Sequence, residues 1–306
     1  MVGIGTGGLW EHLRVRHVYE CPVRWADLDL LGHVNNVAYV DFLQEARADL
    51  FRSHRSGLRA PELEEGLVVV STQVRYRESM LLRFEPVRVE VWVVEVRAAS
   101  FTLAYEVFDE RPDGTRAVYC TATTVMAPYV FAEERPRRLT AEEKQALEQH
   151  RDEGAAPEPR PWASPHRTEV GHYPVHVRFS DVDVYGHVNN VTYVEYFQEA
   201  RIAALARLWG EVPAGSGRTS VVVAQAEIDH LVPMLHRPEP YDAFTQVVHV
   251  GNTSVVVETE VVDRSGPNEV RHARARVVLV FVDDDGRPRR PEESVRAPLV
   301  AAVAPA

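Results

Sequence analysis

Between Val23 and Arg47 an aspartate, a glycine, a histidine and two asparagines stand at positions 29, 32, 33, 35 and 36, directly ahead of a helical pattern. The same residue types return at 183, 186, 187, 189 and 190, so that VRWADLDLLGHVNNVAYVDFLQEAR is matched by VRFSDVDVYGHVNNVTYVEYFQEAR at an offset of 154. A carboxylate just before a helix N-terminus lies beside backbone N–H groups that have no partner inside the helix. Such groups can polarise a carbonyl oxygen and hold a developing oxyanion. The pattern therefore sets a nucleophile or base next to a holder for an electrophile. Gly32 and Gly186 allow the backbone to turn tightly enough to bring the two together.

Other chemistries fail on spacing. The DxDxxG start hints at a calcium loop, but Leu31 and Tyr185 occupy the third ligand position and no Glu closes a twelve-residue loop. His33 and His187 lie a whole domain apart, without nearby Cys or a second His at helical spacing, which is not a zinc set. Neither a glycine-rich phosphate loop nor a nucleophile elbow is present. No metal and no cofactor is expected. Several motif residues also have structural roles open to them. Asp27 and Asp181 can cap a turn or pair with Arg24 and Arg178, and Asn35 and Asn189 suit helix N-caps. His33 and His187 can orient the carboxylate, touch substrate or make a structural hydrogen bond.

The elements that must position these residues occur twice. Strand-like stretches at 17–27 and 172–181 lead into the motif, and apolar residues at helical spacing predict helices from Asn36 to about Arg55 and from Asn190 to about Leu208. β-Branched runs then predict strands at 67–76, 87–96, 101–108 and 117–126, with counterparts at 220–228, 243–250, 255–262 and 271–282. Asp113-Gly114 and Ser265-Gly266 mark hairpin turns. Thr140 and Glu143 have capping-box spacing for a helix over 140–150, and the Pro- and Ala-rich stretch 152–165 reads as a linker. A repeat this long is a duplicated domain. The expected division is an N-terminal domain over 1–139, a helix and linker over 140–170, and a C-terminal domain over 171–306.

Composition narrows the class. A chain of 306 residues accommodates two domains with their own cores, and 45% hydrophobic with 26% charged residues is ordinary for a globular protein. The net charge of −11 disfavours nucleic acid as a partner, because phosphate neutralisation needs a basic face. No apolar run is long enough for a membrane span and no secretory leader pattern stands at the N-terminus, so a cytoplasmic location without membrane partners is expected. Cys21 and Cys120 have no counterparts in the second half and read as reduced, structural thiols.

The order of elements and the twice-written DxDxxGHVNNxxY resemble the hotdog-fold acyl-CoA thioesterases of the 4-hydroxybenzoyl-CoA thioesterase-like branch, over nearly all of both halves. The resemblance implies an α+β fold in which each half wraps a long helix in an antiparallel sheet. The two halves would pair as an intramolecular pseudo-dimer, a double hotdog, with further homo-oligomerisation left open. It also implies hydrolysis of a thioester to free acid and CoA. By resemblance Asp29 and Asp183 match the nucleophile or general base, Asn36 and Asn190 match the position whose backbone N–H faces the thioester carbonyl, and Gly32, His33, Asn35, Gly186, His187 and Asn189 support them.

This sequence departs from the family at several points. Of the basic residues that hold CoA phosphates in some relatives only Arg97 is kept, ahead of Ser100, while Gly251 stands ahead of Ser254. Ser79 replaces the proline kept as Pro233. Acyl-ACP thioesterases of the plant type carry Asn where this chain has Leu31 and Tyr185, which makes an acyl-ACP substrate the lesser alternative. A hotdog hydratase or dehydratase would use His33 with Asp29, and an acyl-CoA-binding regulator would bind without turnover.

Overall fold

The computed structural model describes residues 16–30, 32–53, 65–158, 160–210 and 220–303. The first half runs β1 (His17–Cys21), α1 (Asn36–Ser53), β2 (Glu65–Tyr76), β3 (Val87–Val96), β4 (Phe101–Glu110), β5 (Arg116–Val130) and a two-residue β6 (Arg135–Pro136). After α2 (Ala141–Glu148) the second half repeats the order with β7 (His172–Val175), α3 (Asn190–Trp209), β8 (Ser220–His230), β9 (Tyr241–Val250), β10 (Ser254–Asp263) and β11 (Val270–Val282), then adds α4 (Glu293–Ala301).

All these strands join one antiparallel sheet in the order β1-β3-β4-β5-β2-β8-β11-β10-β9-β7, with β6 on β5. The halves share the same internal order and meet where β2 pairs with β8, from Ser71 opposite Asp229 to Arg75 opposite Gln225. The sheet buries one helix per half. Leu43 and Ala46 of α1 and Ala200 of α3 are fully enclosed, against valines such as Val89, Val91, Val255 and Val261 that point inward from the sheet. This is the hotdog arrangement, built twice in a single chain. Each edge that a lone half would leave open at β2 or β8 is closed by its twin.

The strands expected at 17–27 and 172–181 end early, at Cys21 and Val175. Short 3₁₀ turns over Trp25–Asp27 and Phe179–Asp181 take over, because buried Asp27 and Asp181 accept the backbone N–H of Arg24 and Arg178 at 2.7 and 2.8 Å and pull the chain into a turn. The α2 cap forms as spaced, with Glu143 N–H donating to Thr140 Oγ1 and Thr140 N–H to the Glu143 carboxylate. The linker starts against β3 of the first half, where Trp92 Nε1 donates to the Glu153 carbonyl at 3.0 Å, and crosses to the second half, where Trp162 sits under the guanidinium groups of Arg274 and Arg276. The α4 helix has no counterpart among the sequence expectations. It is short and carries Pro298, and it is held by fully buried Leu299 and by Trp209 Nε1 donating to the Val295 carbonyl. No helix among the described residues is long and apolar enough to cross a membrane.

Candidate active site

The DxDxxGHVNN stretch folds as a small hairpin in each half. Asp29 N–H donates to the His33 carbonyl at 2.8 Å and Gly32 N–H to the Asp29 carbonyl at 3.0 Å; Asp183, His187 and Gly186 repeat both bonds. Gly32 and Gly186 sit at φ of 76° and 81°, the left-handed region a three-residue hairpin loop requires at this place. Both hairpins are pinned from outside, by Val34 N–H on the Met80 carbonyl and Val188 N–H on the Met234 carbonyl.

The half-buried aspartates are oriented by this backbone. Asp183 Oδ1 accepts the N–H of Tyr185 at 2.9 Å and of His187 at 3.4 Å, and Asp29 Oδ1 accepts the N–H of His33 at 3.2 Å. Asp183 Oδ2 has no hydrogen-bond donor among the described residues. The histidines therefore orient the carboxylates through their backbone. The His187 ring instead rests 5.3 Å from that of Phe131.

Next along the chain, Asn35 and Asn189 accept the N–H of Val37 and Val191 through Oδ1, both at 2.9 Å, as helix caps do. Asn36 and Asn190 open the helices, and their own N–H groups have no acceptor among the described residues. Asp183 and Asn190 line one cavity of about 710 Å³. Tyr193, His230 and residues 231–233 of the same half line it too, and the first half supplies the facing walls: Gln44, Arg47, Ala48 and Phe51 on α1, residues 66–70 on β2, and Met126, Tyr129 and Phe131 at the end of β5. A carboxylate, a free N–H and an apolar chamber thus meet where neither half alone could form the space. The groups that would face Asp29 across the repeat are Gln198, Arg201 and Leu205 on α3, and residues 211–219 ahead of β8 lie outside the described residues, as does Leu31.

Three features of the Asp183 cavity escaped the sequence reading. Arg47 is 6% exposed and donates through Nη2 to Asn190 Oδ1 at 3.0 Å. Its counterpart Arg201 is as deeply buried, and desolvation pulls its pKa down to about 10. His230 lines the cavity with its ring edge-on to Tyr193 at 4.8 Å. Burial and then the nearby charge of Arg47 lower its pKa to about 4, so the imidazole is neutral at pH 7. Its counterpart is Tyr76, whose hydroxyl donates to the Asn36 carbonyl at 2.8 Å. Finally, Phe131 stacks on Tyr185 at 4.3 Å, joining the end of β5 to the hairpin of the other half. Gly66 makes room for this stack, since a Cβ there would stand 2.9 Å from both rings.

Arg97 lies in the β3–β4 turn two residues from Ala99, which lines the Asp183 cavity, so its turn belongs to the rim of the opposite half's hairpin. The side chain is exposed and pairs with Glu95 at 2.9 Å. Among the described residues no group of three or more His, Cys, Asp or Glu is placed to hold a metal.

The sequence model of the thioesterase-like superfamily matches residues 23–148 and again residues 177–303, covering both hairpins, both long helices and the strands β2–β5 and β8–β11. The chain belongs to that superfamily. A protein of Lactobacillus plantarum provisionally named an oleoyl thioesterase superposes with a TM-score of 0.70 at 14% identity, over 88% of this chain and 98% of its own. The 12:0-ACP thioesterase of Umbellularia californica gives 0.68 at 16% identity over 88% and 94%, and an acyl-ACP thioesterase of Bacteroides thetaiotaomicron gives 0.63 at 16% over 86% and 97%. At these identities the likeness is one of fold, a tandem hotdog of the same extent. The uncharacterised protein YsmA of Bacillus subtilis (strain 168) is 34% identical over 86 residues, 27% of this chain and 54% of YsmA. The match to this curated relative thus spans about half of its length.

Proposed function

We propose that this thioesterase-like protein hydrolyses acyl-CoA to free acid and CoA in the cytoplasm, with residues 1–139 and 171–306 as its two hotdog domains. The observation that carries the reading is the meeting of Asp183 Oδ2, the Asn190 N–H that has no acceptor among the described residues and an apolar chamber in one cavity. A thioester carbonyl held on the Asn190 N–H gains the stabilisation its oxyanion needs. Asp183 then either attacks that carbon or takes a proton from a water that does. In both routes the C–S bond breaks and the CoA sulfur leaves as thiolate and takes up a proton; in the first, water then cleaves the acyl-aspartyl anhydride to free the acid and restore the carboxylate, and in the second, water itself adds the oxygen that ends in the acid. Asp29 and Asn36 hold the same roles in the first half. The apolar walls from Phe51, Met126 and Phe131 receive the acyl chain.

Arg97 favours CoA as the carrier. A guanidinium at the cavity rim suits a nucleotide phosphate, and its exchange of Glu95 for that phosphate replaces one charge-assisted pair with another. The test is a panel of acyl-CoAs, short, long and aromatic, set against the same acyl groups on ACP and followed by free thiol release. Turnover of acyl-CoA that falls about a hundredfold or more in the Asp29→Asn, Asp183→Asn double variant supports the assignment. Wild-type turnover by the folded double variant refutes the roles of the aspartates, and turnover confined to acyl-ACP refutes the carrier. Arg97→Ala is expected to raise KM for acyl-CoA and to leave a truncated pantetheine thioester unaffected.

A further inference from the structure

Arg47 belongs to no part of the DxDxxGHVNN stretch, yet it is a first-half group that bonds a residue of the Asp183 site directly. It comes from the middle of α1, is almost wholly buried, and has no carboxylate within ion-pair distance among the described residues. The groups around it are neutral: the Asn190 amide, the His230 imidazole and the Tyr105 hydroxyl. Burying a guanidinium without a counter-charge is costly, and a position that fills only a packing need is met more cheaply by Met or Leu. What Arg47 does hold is the first residue of α3. Its Nη2 fixes the Asn190 side chain at 3.0 Å while the Asn190 N–H stays open to the cavity. The other half is arranged differently. Arg201 makes no hydrogen bond to Asn36 among the described residues, and Tyr76 of the same half holds the Asn36 carbonyl instead.

We propose that Arg47 is a positioning residue supplied to the Asp183 site by the opposite half, locking Asn190 so that its backbone N–H meets the thioester carbonyl and adding positive charge where the oxyanion forms. This rests on the reading of Asp183 and Asn190 as the reacting site. A misplacement of the donor by a fraction of an ångström costs turnover and leaves ground-state binding nearly intact, since the carbonyl oxygen gains most of its charge only on the way to the tetrahedral state.

The experiment is run in the Asp29→Asn background, where only the Asp183 site turns over, with the best acyl-CoA as substrate. Arg47→Met and Asn190→Ala, which keeps the backbone N–H and deletes only the acceptor, are each expected to lower kcat about tenfold or more with KM changed less than about twofold. Combined, they should be no worse than the poorer single variant, because both remove the same lock. Guanidinium ion at millimolar concentration should restore several-fold of the kcat lost in Arg47→Ala, a recovery that a purely structural arginine would not show. Additive losses, or an Asn190→Ala variant with unchanged kcat, overturn the proposal, and the latter decides it even where Arg47→Met fails to fold. If Asp183→Asn in the same background leaves turnover intact, the site assignment falls and Arg47 with it. Loss in Asp183→Asn without loss in Asn190→Ala removes Arg47 alone.

Discussion

Gln73 and Glu227 face each other across the β2–β8 ladder, and each is the other's counterpart in the repeat. The pair therefore marks the pseudo-twofold axis that relates the halves. Directly opposed side chains share one face of a sheet, so Gln73→Glu would set two carboxylates together at the axis, beside a Glu227 already 5% exposed. The expected cost is on the order of 1 kcal/mol, or roughly 2–4 °C in Tm for a chain of this size. Calorimetry of the variant beside wild type checks it, and an unchanged Tm counts against the register.

The Phe131–Tyr185 stack forms part of the wall of the Asp183 cavity. Gly66→Ala drives a methyl group into both rings, which must shift inward. The variant is expected to lose about tenfold in kcat/KM on its longest or aromatic acyl substrates relative to short ones. A uniform loss across an acyl panel would show that the stack does not line the acyl path.

Gly186 has open space where a Cβ would go, so Gly186→Ala tests backbone conformation and nothing else. At a φ of 81° the added Cβ costs about 1 kcal/mol, and relief of that strain turns the Asp183 carboxylate away from the cavity. A drop in kcat with a Tm loss of only a few degrees is expected. Asn, which tolerates the left-handed region, should restore most of the activity at this position.

His230 makes stability depend on acid. Its folded pKa of about 4 lies below the ordinary value of 6.5, so on acidification the unfolded chain takes up the proton first. The stability it leaves intact above pH 6.5 is lost as the pH falls toward 4. Replacement by Tyr, the residue its twin Tyr76 already uses, removes that proton uptake and should flatten the fall of Tm between pH 6.5 and 4 relative to wild type. Parallel curves would show that the imidazole titrates normally.

Cys21 and Cys120 are buried, and desolvation raises both thiols, Cys21 to about 12. The folded protein is expected to show no reaction with a disulfide reagent over the minutes of a thiol-release assay, and two equivalents after unfolding. A rapid native reaction would place at least one thiol at the surface.

Much of this was legible before any coordinates. The helices at Asn36 and Asn190 and the eight long strands announce themselves because apolar residues recur with the period of the element and the sheet has one enclosed face. The Asn35 and Asn189 caps and the turn held by Asp27 with Arg24 are likewise local events between near neighbours. Arg47 and His230 were not legible, because what gives each its role lies in the other half of the chain. In sequence QEAR reads as an ordinary polar stretch of helix, and a strand ending in Asp229-His230 reads as a strand end. The shortening of β1 and β7 has a local cause that the strand pattern masked. Val23 and Val177 keep the apolar pattern going, and only the side-chain acceptors at Asp27 and Asp181 divert the backbone.

The unbroken sheet from β5 through β2 and β8 to β11 has a genetic consequence. In a pair of identical subunits every mutation is stamped on both cavities at once, and a change that improves one substrate must be tolerated twice. Here each half has its own codons. His230 stands where Tyr76 stands, and Tyr185 where Leu31 does, without either change being copied across the axis. One copy of the motif and its surroundings can change while the other is kept as it was. Their ratio is held at one to one by a peptide bond, and no exchange of subunits can mix the outcome.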